Sequence, residues 1–396
     1  MPVINSIEDL RALARRRVPR ALFDYVDRGA YDEQTLRRNR QDLDALQFRQ
    51  RIMVDLSTLS LESTLLGAQV AMPLAIAPIG LGGFVHGDGE IHGARAAAAF
   101  GVPFCLSTLS VCSIEDVHAA VPQPFWFQVY LMRDRGFNQE LISRARAAQC
   151  SVLVLTVDLP IQGLRRRDAK NGLTVPPRLT ARNALEIALR PSWALGVLLG
   201  KRRTFGNLAS RLGDTGGLST LAQWIGTQFD RSVNWKEIDW IRQQWPGRLV
   251  VKGILDAEDA LAACAAGVDG IIVSNHGGRQ LDGAPSSIAV LPEVAAAVAG
   301  RCEVLFDGGI RSGQDILKAL ALGARGCLIG KAYMYALGAQ GERGVTRALS
   351  ILRDELMVSL ALTGRTHVAA VDHSILRAPQ SSANAASCMN PPSAAR

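Results

Sequence analysis

The chain has 396 residues, 48% of them hydrophobic, which can supply a large core and suits one α/β barrel as well as two smaller domains. Its 44 Lys and Arg exceed its 36 Asp and Glu, but the excess is local: residues 165–203 hold ten basic and two acidic side chains, and the remainder balances at 34 of each. That pattern excludes a generally basic nucleic-acid binder, and seven irregularly spaced cysteines without a C-x-x-C argue against a disulfide scaffold or zinc site and for a reducing compartment.

The amino end reads MPVINSIEDLRALARRR. It lacks the basic-then-apolar order of a secretory signal, and Ser6 followed by Asp9 predicts a capped helix. No run of about 18 apolar residues occurs that could span a bilayer. From residue 72 onward short apolar runs recur. They predict strands near 72–78, 103–107, 125–130, 151–158, 249–253, 269–274, 303–307 and 326–330. Unbroken apolar runs suit strands buried on both faces of a parallel sheet. Helical patterns at 89–100, 113–120, 138–149, 256–266, 288–299 and 312–322 fall between them. Eight strands alternating with helices predict a (β/α)8 TIM barrel with an N-terminal helical extension. A doubly wound sheet with a dinucleotide fingerprint is disfavoured, because GDGEIHG at 87–93 has the wrong glycine spacing. Residues 1–377 are expected to form one domain. The small, polar stretch 378–396 is expected to be a disordered tail.

The gap between the fourth and fifth strands is far longer than the others. It contains the basic segment and LEIALRPSWALGVLLGKRR at 185–203. A loop of that length in a compact domain is a lid, a binding loop or disorder.

Polar residues gather at the carboxyl ends of the strands, where a barrel carries its active site. The sharpest string is SNHGGRQLDG at 274–283. His276 titrates near neutrality and can accept a hydroxyl proton. Arg279 offers a fork that grips a carboxylate. The glycines between them let backbone approach a flat ligand. Base plus carboxylate clamp is what a 2-hydroxy acid requires. Asp158, ending LTVDLP, can hold the imidazole tautomer, though a cap or an ion pair explains it equally well. Arg165 is either a second carboxylate contact or part of a solvated run. Tyr25 and Tyr130 can each bond a substrate oxygen or serve as core aromatics. Lys252 is a fixed cation for charge on a reduced cofactor, an ion-pair partner, or the Schiff-base lysine of an aldolase. DGGIRSG at 307–313 and IGK at 329–331 follow the seventh and eighth strands, the usual barrel phosphate site. Asp307, Gly308, Gly309, Arg311, Gly330 and Lys331 are its candidate cofactor residues. No metal site is expected.

These strings, with FDYVDRGAYDEQTLRRN (23–39), LAIAPIGLGG (74–83), LSTLSVCSIEDV (106–117), FWFQVYLMRDRGF (125–137), LTVDLPIQGLRRRDAKNG (155–172) and VVKGILDAEDA (250–260), resemble the FMN-dependent 2-hydroxy-acid dehydrogenase and oxidase family from about residue 5 to 370. Within it the likeness is nearest to bacterial respiratory L-lactate dehydrogenases, through STLSVCSIEDV, the segment Pro191 to Leu212 and WKEIDWIRQQWPGRLVVKGILDAEDA. The resemblance implies that FMN is the cofactor and that His276 is the base with Asp158 its partner. Arg165, Arg279, Tyr25 and Tyr130 would meet substrate. Ser107, Gln128, Thr156 and Lys252 would touch the flavin ring, and 307–331 would hold its phosphate. It further implies a homotetramer and a loop over 170–212 that meets the cytoplasmic face of the inner membrane, where the quinone pool lies. Basic residues flanking Trp193, Leu195, Leu198 and Leu199 agree with an anionic lipid surface. Two departures stand out: Lys331 replaces the usual arginine, and Ile79 replaces a threonine seen in some relatives. No haem-binding segment is expected before the barrel, which leaves oxygen or quinone as acceptor. Mandelate or a longer 2-hydroxy acid stays open beside lactate, and hydride transfer beside a carbanion route.

Overall fold

The structure is a computed structural model, and it describes residues 3–173, 180–202, 204–209 and 227–377. The expected tail at 378–396 and parts of the 170–212 loop, Arg178 and Arg203 among them, lie outside the described residues.

A two-stranded hairpin, β1 (Ser63–Leu65) and β2 (Ala68–Val70), precedes eight parallel strands. These are β3 (Leu74–Ile76), β4 (Cys105–Ser107), β5 (Trp126–Val129), β6 (Val152–Thr156), β7 (Arg248–Ile254), β8 (Gly270–Val273), β9 (Glu303–Phe306) and β10 (Gly326–Ile329). The sheet runs β3-β10-β9-β8-β7-β6-β5-β4. A parallel bridge between Ile76 and Phe104, with the Ile76 N–H donating to the Pro103 carbonyl at 2.8 Å, joins its two edges into a barrel. The expected (β/α)8 architecture is therefore present. All but β7 are shorter than their apolar runs because the flanking residues turn into loops; β7, expected at 249–253, runs two residues longer.

In chain order the helices are α1 (Ile7–Arg17), α2 (Arg20–Asp27), α3 (Gln34–Ala45), α4 (Gly82–Val85), α5 (Gly89–Phe100), α6 (Ile114–Ala120), α7 (Arg135–Ala147) and α8 (Arg166–Lys170). Then come α9 (Ala181–Ala188), α10 (Pro191–Leu199), α11 (Lys236–Gln244), α12 (Ala257–Ala265), α13 (Ser287–Val298), α14 (Gly313–Ala321) and α15 (Lys331–Leu362). Ser6 and Asp9 form the expected capping box on α1. The last helix is broken at Gln340 and Gly341, so it is two helices joined across a kink.

Alternation along each strand sends one set of side chains inward and the other toward the helices. Val154, Val250, Ile272, Leu305 and Leu328 fill the barrel, and Leu65 and Leu66 from the hairpin join that cluster. The hairpin sits under the amino ends of the strands. Leu66 N–H donates to the Glu303 carboxylate at 2.9 Å, and Leu65 and Leu66 press on Gly326 and Gly270, where no side chain intervenes. No repeating sequence pattern announced this hairpin. It closes the end of the barrel opposite the site.

The long β6–β7 connection carries, among the described residues, α8, α9, α10 and α11. No residue of α10 is buried, and Leu189, Leu195, Leu198 and Leu199 are 57–73% exposed. Trp193 behaves otherwise: its indole N–H donates to the Phe84 carbonyl at 3.1 Å and its ring packs on the core. Arg202 pairs with Asp88 at 3.1 Å and Asp116 at 2.7 Å, and Arg190 with Glu186. Part of the local positive charge is thus neutralised by the protein itself. Among the described residues no helix is long and apolar enough to cross a membrane.

Candidate active site

At the carboxyl ends of the strands lies a cavity of about 280 Å³. His276, Arg279, Arg165, Tyr25, Tyr130, Ser107 and Lys252 line it, as do Asp307, Gly308, Gly309, Arg311, Gly330 and Lys331. Gln128, Thr156 and Asp158 stand just behind this wall. The barrel therefore gathers residues separated by up to three hundred positions in the chain.

His276 follows β8 in a left-handed turn, with φ of 57° at His276, 64° at Gly277 and 72° at Gly278. A non-glycine residue rarely adopts that conformation, and the neighbouring contacts must hold it. They are on hand: the His276 N–H donates to Ser274 Oγ at 3.1 Å, and Nδ1 lies 2.9 Å from Asp158 Oδ1 and 3.1 Å from Oδ2. At Gly278 a Cβ would stand 2.6 Å from the Leu36 backbone, so only glycine lets the turn pass α3.

Burial pulls the His276 imidazole below its ordinary value, and the Asp158 carboxylate opposes that pull without reversing it. Burial raises Asp158, but the His276 charge and hydrogen bond outweigh it and leave the carboxyl low. A neutral imidazole donating Nδ1–H to a carboxylate keeps Nε2 as a proton acceptor.

Two guanidinium groups converge on Tyr25. Arg279 lies 4.5 Å from its ring centroid and Arg165 lies 5.8 Å away. Arg279 donates to the Tyr25 carbonyl, while Arg165 Nε reaches the Arg279 carbonyl at 3.5 Å. Burial and the Arg165 charge lower the Arg279 pKa; two cations this close on one cavity wall favour an anionic ligand. Tyr130 packs edge-on to Phe229 at 5.5 Å, and burial with the Asp158 charge raises its hydroxyl, keeping it a donor.

Lys252 donates to Ser274 Oγ at 2.8 Å and pairs with Asp307 Oδ2 at 3.1 Å. Burial pulls its ammonium down, but Asp307 and Asp158 prevail and hold it above the ordinary lysine value. A Schiff-base nucleophile needs the reverse, a lysine lowered toward neutrality, so the aldolase alternative loses its support.

The flavin implied by the resemblance meets a matching set of groups. Gln128 Nε2, Thr156 Oγ1 and Asp307 Oδ1 are buried without a hydrogen-bond partner. Such atoms are costly to leave unpaired and call for a ligand. Ser107 Oγ is differently placed: it donates to Gln128 Oε1 at 2.9 Å and orients that amide. At the phosphate end, α14 is already closed by its Ser312–Asp315 capping box. By contrast, α15 starts at Lys331 behind Gly330 with no side-chain cap and opens onto the cavity, leaving its N–H groups for an anion. Gly309, at φ 96°, would put a Cβ 2.6 Å from the Asn39 carbonyl. Arg311 is tethered outward to Glu8 at 3.3 Å. Lys331 is engaged elsewhere: its Nζ donates to the carbonyls of Val26, Asp27 and Arg28.

Some supporting residues had no role in the sequence reading. Asn275 and Asn39 exchange paired amide hydrogen bonds of 2.9 and 2.7 Å, and Asn275 Oδ1 also accepts from the Gly278 N–H. Gln280 donates to the Asp158 carbonyl at 2.7 Å. Asn275 and Gln280 flank His276 within the string already singled out. The partnership with Asn39 spans 236 positions and leaves no local signal. No group of three or more His, Cys, Asp and Glu side chains suited to a metal occurs among the described residues.

Comparison with known proteins agrees with this geometry. Residues 14–378 match the family described as FMN-dependent dehydrogenase. A protein named L-lactate dehydrogenase from Caulobacter vibrioides is 51% identical over 375 residues, covering 94% of this chain and 98% of that one. One of the same name from Pseudomonas aeruginosa is 49% identical over 363 residues, covering 91% and 95%. The crystal structure of the monotopic membrane protein (S)-mandelate dehydrogenase superposes with a TM-score of 0.90 at 38% identity, covering 95% of this chain and 100% of that one. The match in sequence and in barrel makes this chain a member of the FMN-dependent dehydrogenase family, an oxidoreductase that uses FMN.

Proposed function

We propose that this enzyme oxidises L-lactate to pyruvate and passes the electrons to a respiratory quinone. The observation that carries the reading is the His276–Asp158 pair facing Arg165 and Arg279 across one cavity. The two arginines hold the substrate carboxylate. Tyr25 and Tyr130 meet its oxygens. His276 Nε2 takes the hydroxyl proton, while Asp158 keeps the tautomer and stabilises the imidazolium that results. FMN, when bound, supplies the two-electron acceptor. Gln128, Thr156, Ser107 and the ion-paired Lys252 and Asp307 are the groups suited to its ring, with Lys252 a fixed cation beside it. The Gly308–Gly309 backbone, Arg311 and the N–H groups at Gly330 and Lys331 suit its phosphate.

Lactate is favoured over mandelate because the relatives at about half identity are lactate enzymes. The exposed leucines of α9 and α10 favour a peripheral seat on a lipid surface, as does the monotopic neighbour. We place that seat on the cytoplasmic face and the protein in a homo-oligomer, following the same family likeness; residues 1–377 act as one domain. The test is anaerobic reduction of the bound flavin by a panel of L-2-hydroxy acids, then reoxidation by oxygen or a quinone. Fastest bleaching by L-lactate and preferential reoxidation by quinone are expected. Preference for mandelate would move the substrate, and fast reaction with oxygen would move the acceptor.

A further inference from the structure

Lys331 stands where the family likeness leads one to expect an arginine at the phosphate, yet its ammonium is fully occupied. Nζ donates to the carbonyls of Val26 at 2.9 Å, Asp27 at 3.0 Å and Arg28 at 3.1 Å. An ammonium has three N–H groups, and each has an acceptor here. A phosphate oxygen would have to take one of them and strip a carbonyl of its donor, which costs about 1–3 kcal/mol where the group is buried.

The acceptors are not scattered. They are the free carbonyls at the carboxyl end of α2, where a helix has no further N–H of its own to satisfy them and carries partial negative charge. The preceding carbonyl, that of Tyr25, receives Arg279. One turn beyond Lys331, Tyr335 donates its hydroxyl to Asp27 Oδ1 at 2.7 Å, and Arg11 Nε reaches the same oxygen at 2.6 Å. The first turn of α15 thus grips the end of α2 twice, and α2 carries Tyr25.

We propose that Lys331 is a positioning residue that fastens the end of α2, and with it Tyr25, to the base of the cofactor cradle, instead of binding the phosphate. The proposal rests on the substrate role given to Tyr25 above. In this chain the helix that opens toward the phosphate is also the one that sets the substrate-facing tyrosine, so the two ligand sites share one mechanical joint. The residual hold through Tyr335 and Arg11 on Asp27 is what should keep α2 folded when Lys331 is changed.

The test uses the full-length chain carrying K331M, stripped of flavin and titrated with FMN and with riboflavin, which lacks the phosphate. The preference for FMN over riboflavin should stay within about 2-fold of the unaltered protein. After reloading with FMN, the KM for L-lactate should rise about 10-fold, the scale of one lost hydrogen-bonded contact, with kcat changed far less. On a Y25F background K331M should add less than about 2-fold to KM, since both changes act through one side chain. A drop of about 10-fold or more in the FMN-to-riboflavin preference would make Lys331 a phosphate ligand and overturn the proposal. If K331M does not hold its fold, K331Q, whose amide can still donate to two carbonyls, should keep the FMN-to-riboflavin preference within about 2-fold and raise KM by less than about 10-fold, and a loss of about 10-fold in that preference would overturn the proposal in the same way. A normal KM in Y25F alone would remove the substrate role of Tyr25 and the coupling with it; the flavin preference reports on Lys331 independently of that outcome.

Discussion

At the amino ends of the strands Leu65, Leu66 and Val250 pack around Gly270 and Gly326 in one apolar cluster. At the carboxyl ends Gln128, Thr156 and Asp307 each keep a buried polar atom without a partner, and His276 holds a left-handed backbone. One end is organised chiefly for packing, with its polar groups paired inside the protein. The other tolerates unpaired dipoles and strain because a ligand is meant to complete it. Changes at the two ends should therefore damage different quantities.

The largest effect belongs to the chemical end. His276→Ala should slow flavin reduction by about 10⁴-fold while FMN stays bound, measured by anaerobic stopped-flow absorbance; reduction at near-normal rate would remove the base. Asp158→Asn should cost about 10³-fold in kcat, because the wrong tautomer is then favoured. The pH dependence follows from the same pair. The base works when neutral, and His276 lies below the ordinary imidazole value of about 6.5. The profile of kcat/KM should be level through neutral pH and fall only on its acid side. Asp158→Asn removes the carboxylate that favours the imidazolium, so the acid limb should move to lower pH still.

The packing end gives the contrasting result. Leu65→Ala should lower unfolding stability by about 3 kcal/mol, seen in a urea titration, with KM for substrate unchanged. A large change in KM with little loss of stability would erase the distinction between the ends. The smallest effect is expected on α10: L195N and L199N together should weaken binding to anionic lipid vesicles by about 10-fold in a sedimentation assay, leaving turnover with a soluble acceptor intact. Unaltered vesicle binding would assign that surface some other partner.

Legibility in the sequence divides along the same line. The strands of the barrel were readable because each is a continuous apolar run, and the site because polar residues recur where those runs stop. The hairpin β1–β2 was not, since strands of three residues are too short to show alternation. Lys331 illustrates a different limit. Its position after the last strand marks it as cradle chemistry, but the acceptors of its protons come from the end of α2, some three hundred residues earlier. Trp193 is similar. Beside leucines and arginines it reads as lipid-facing, and only the Phe84 carbonyl explains why it turns inward.

The hairpin beneath the barrel has a kinetic corollary. Because Leu65 and Leu66 plug the interior from below, the cavity opens, among the described residues, away from the hairpin and on the side where His276 and Arg279 stand. The oxidised acid has to vacate it before a second reactant of similar reach can use the same space. A large excess of the hydroxy acid should therefore compete with any electron acceptor that enters by that same side.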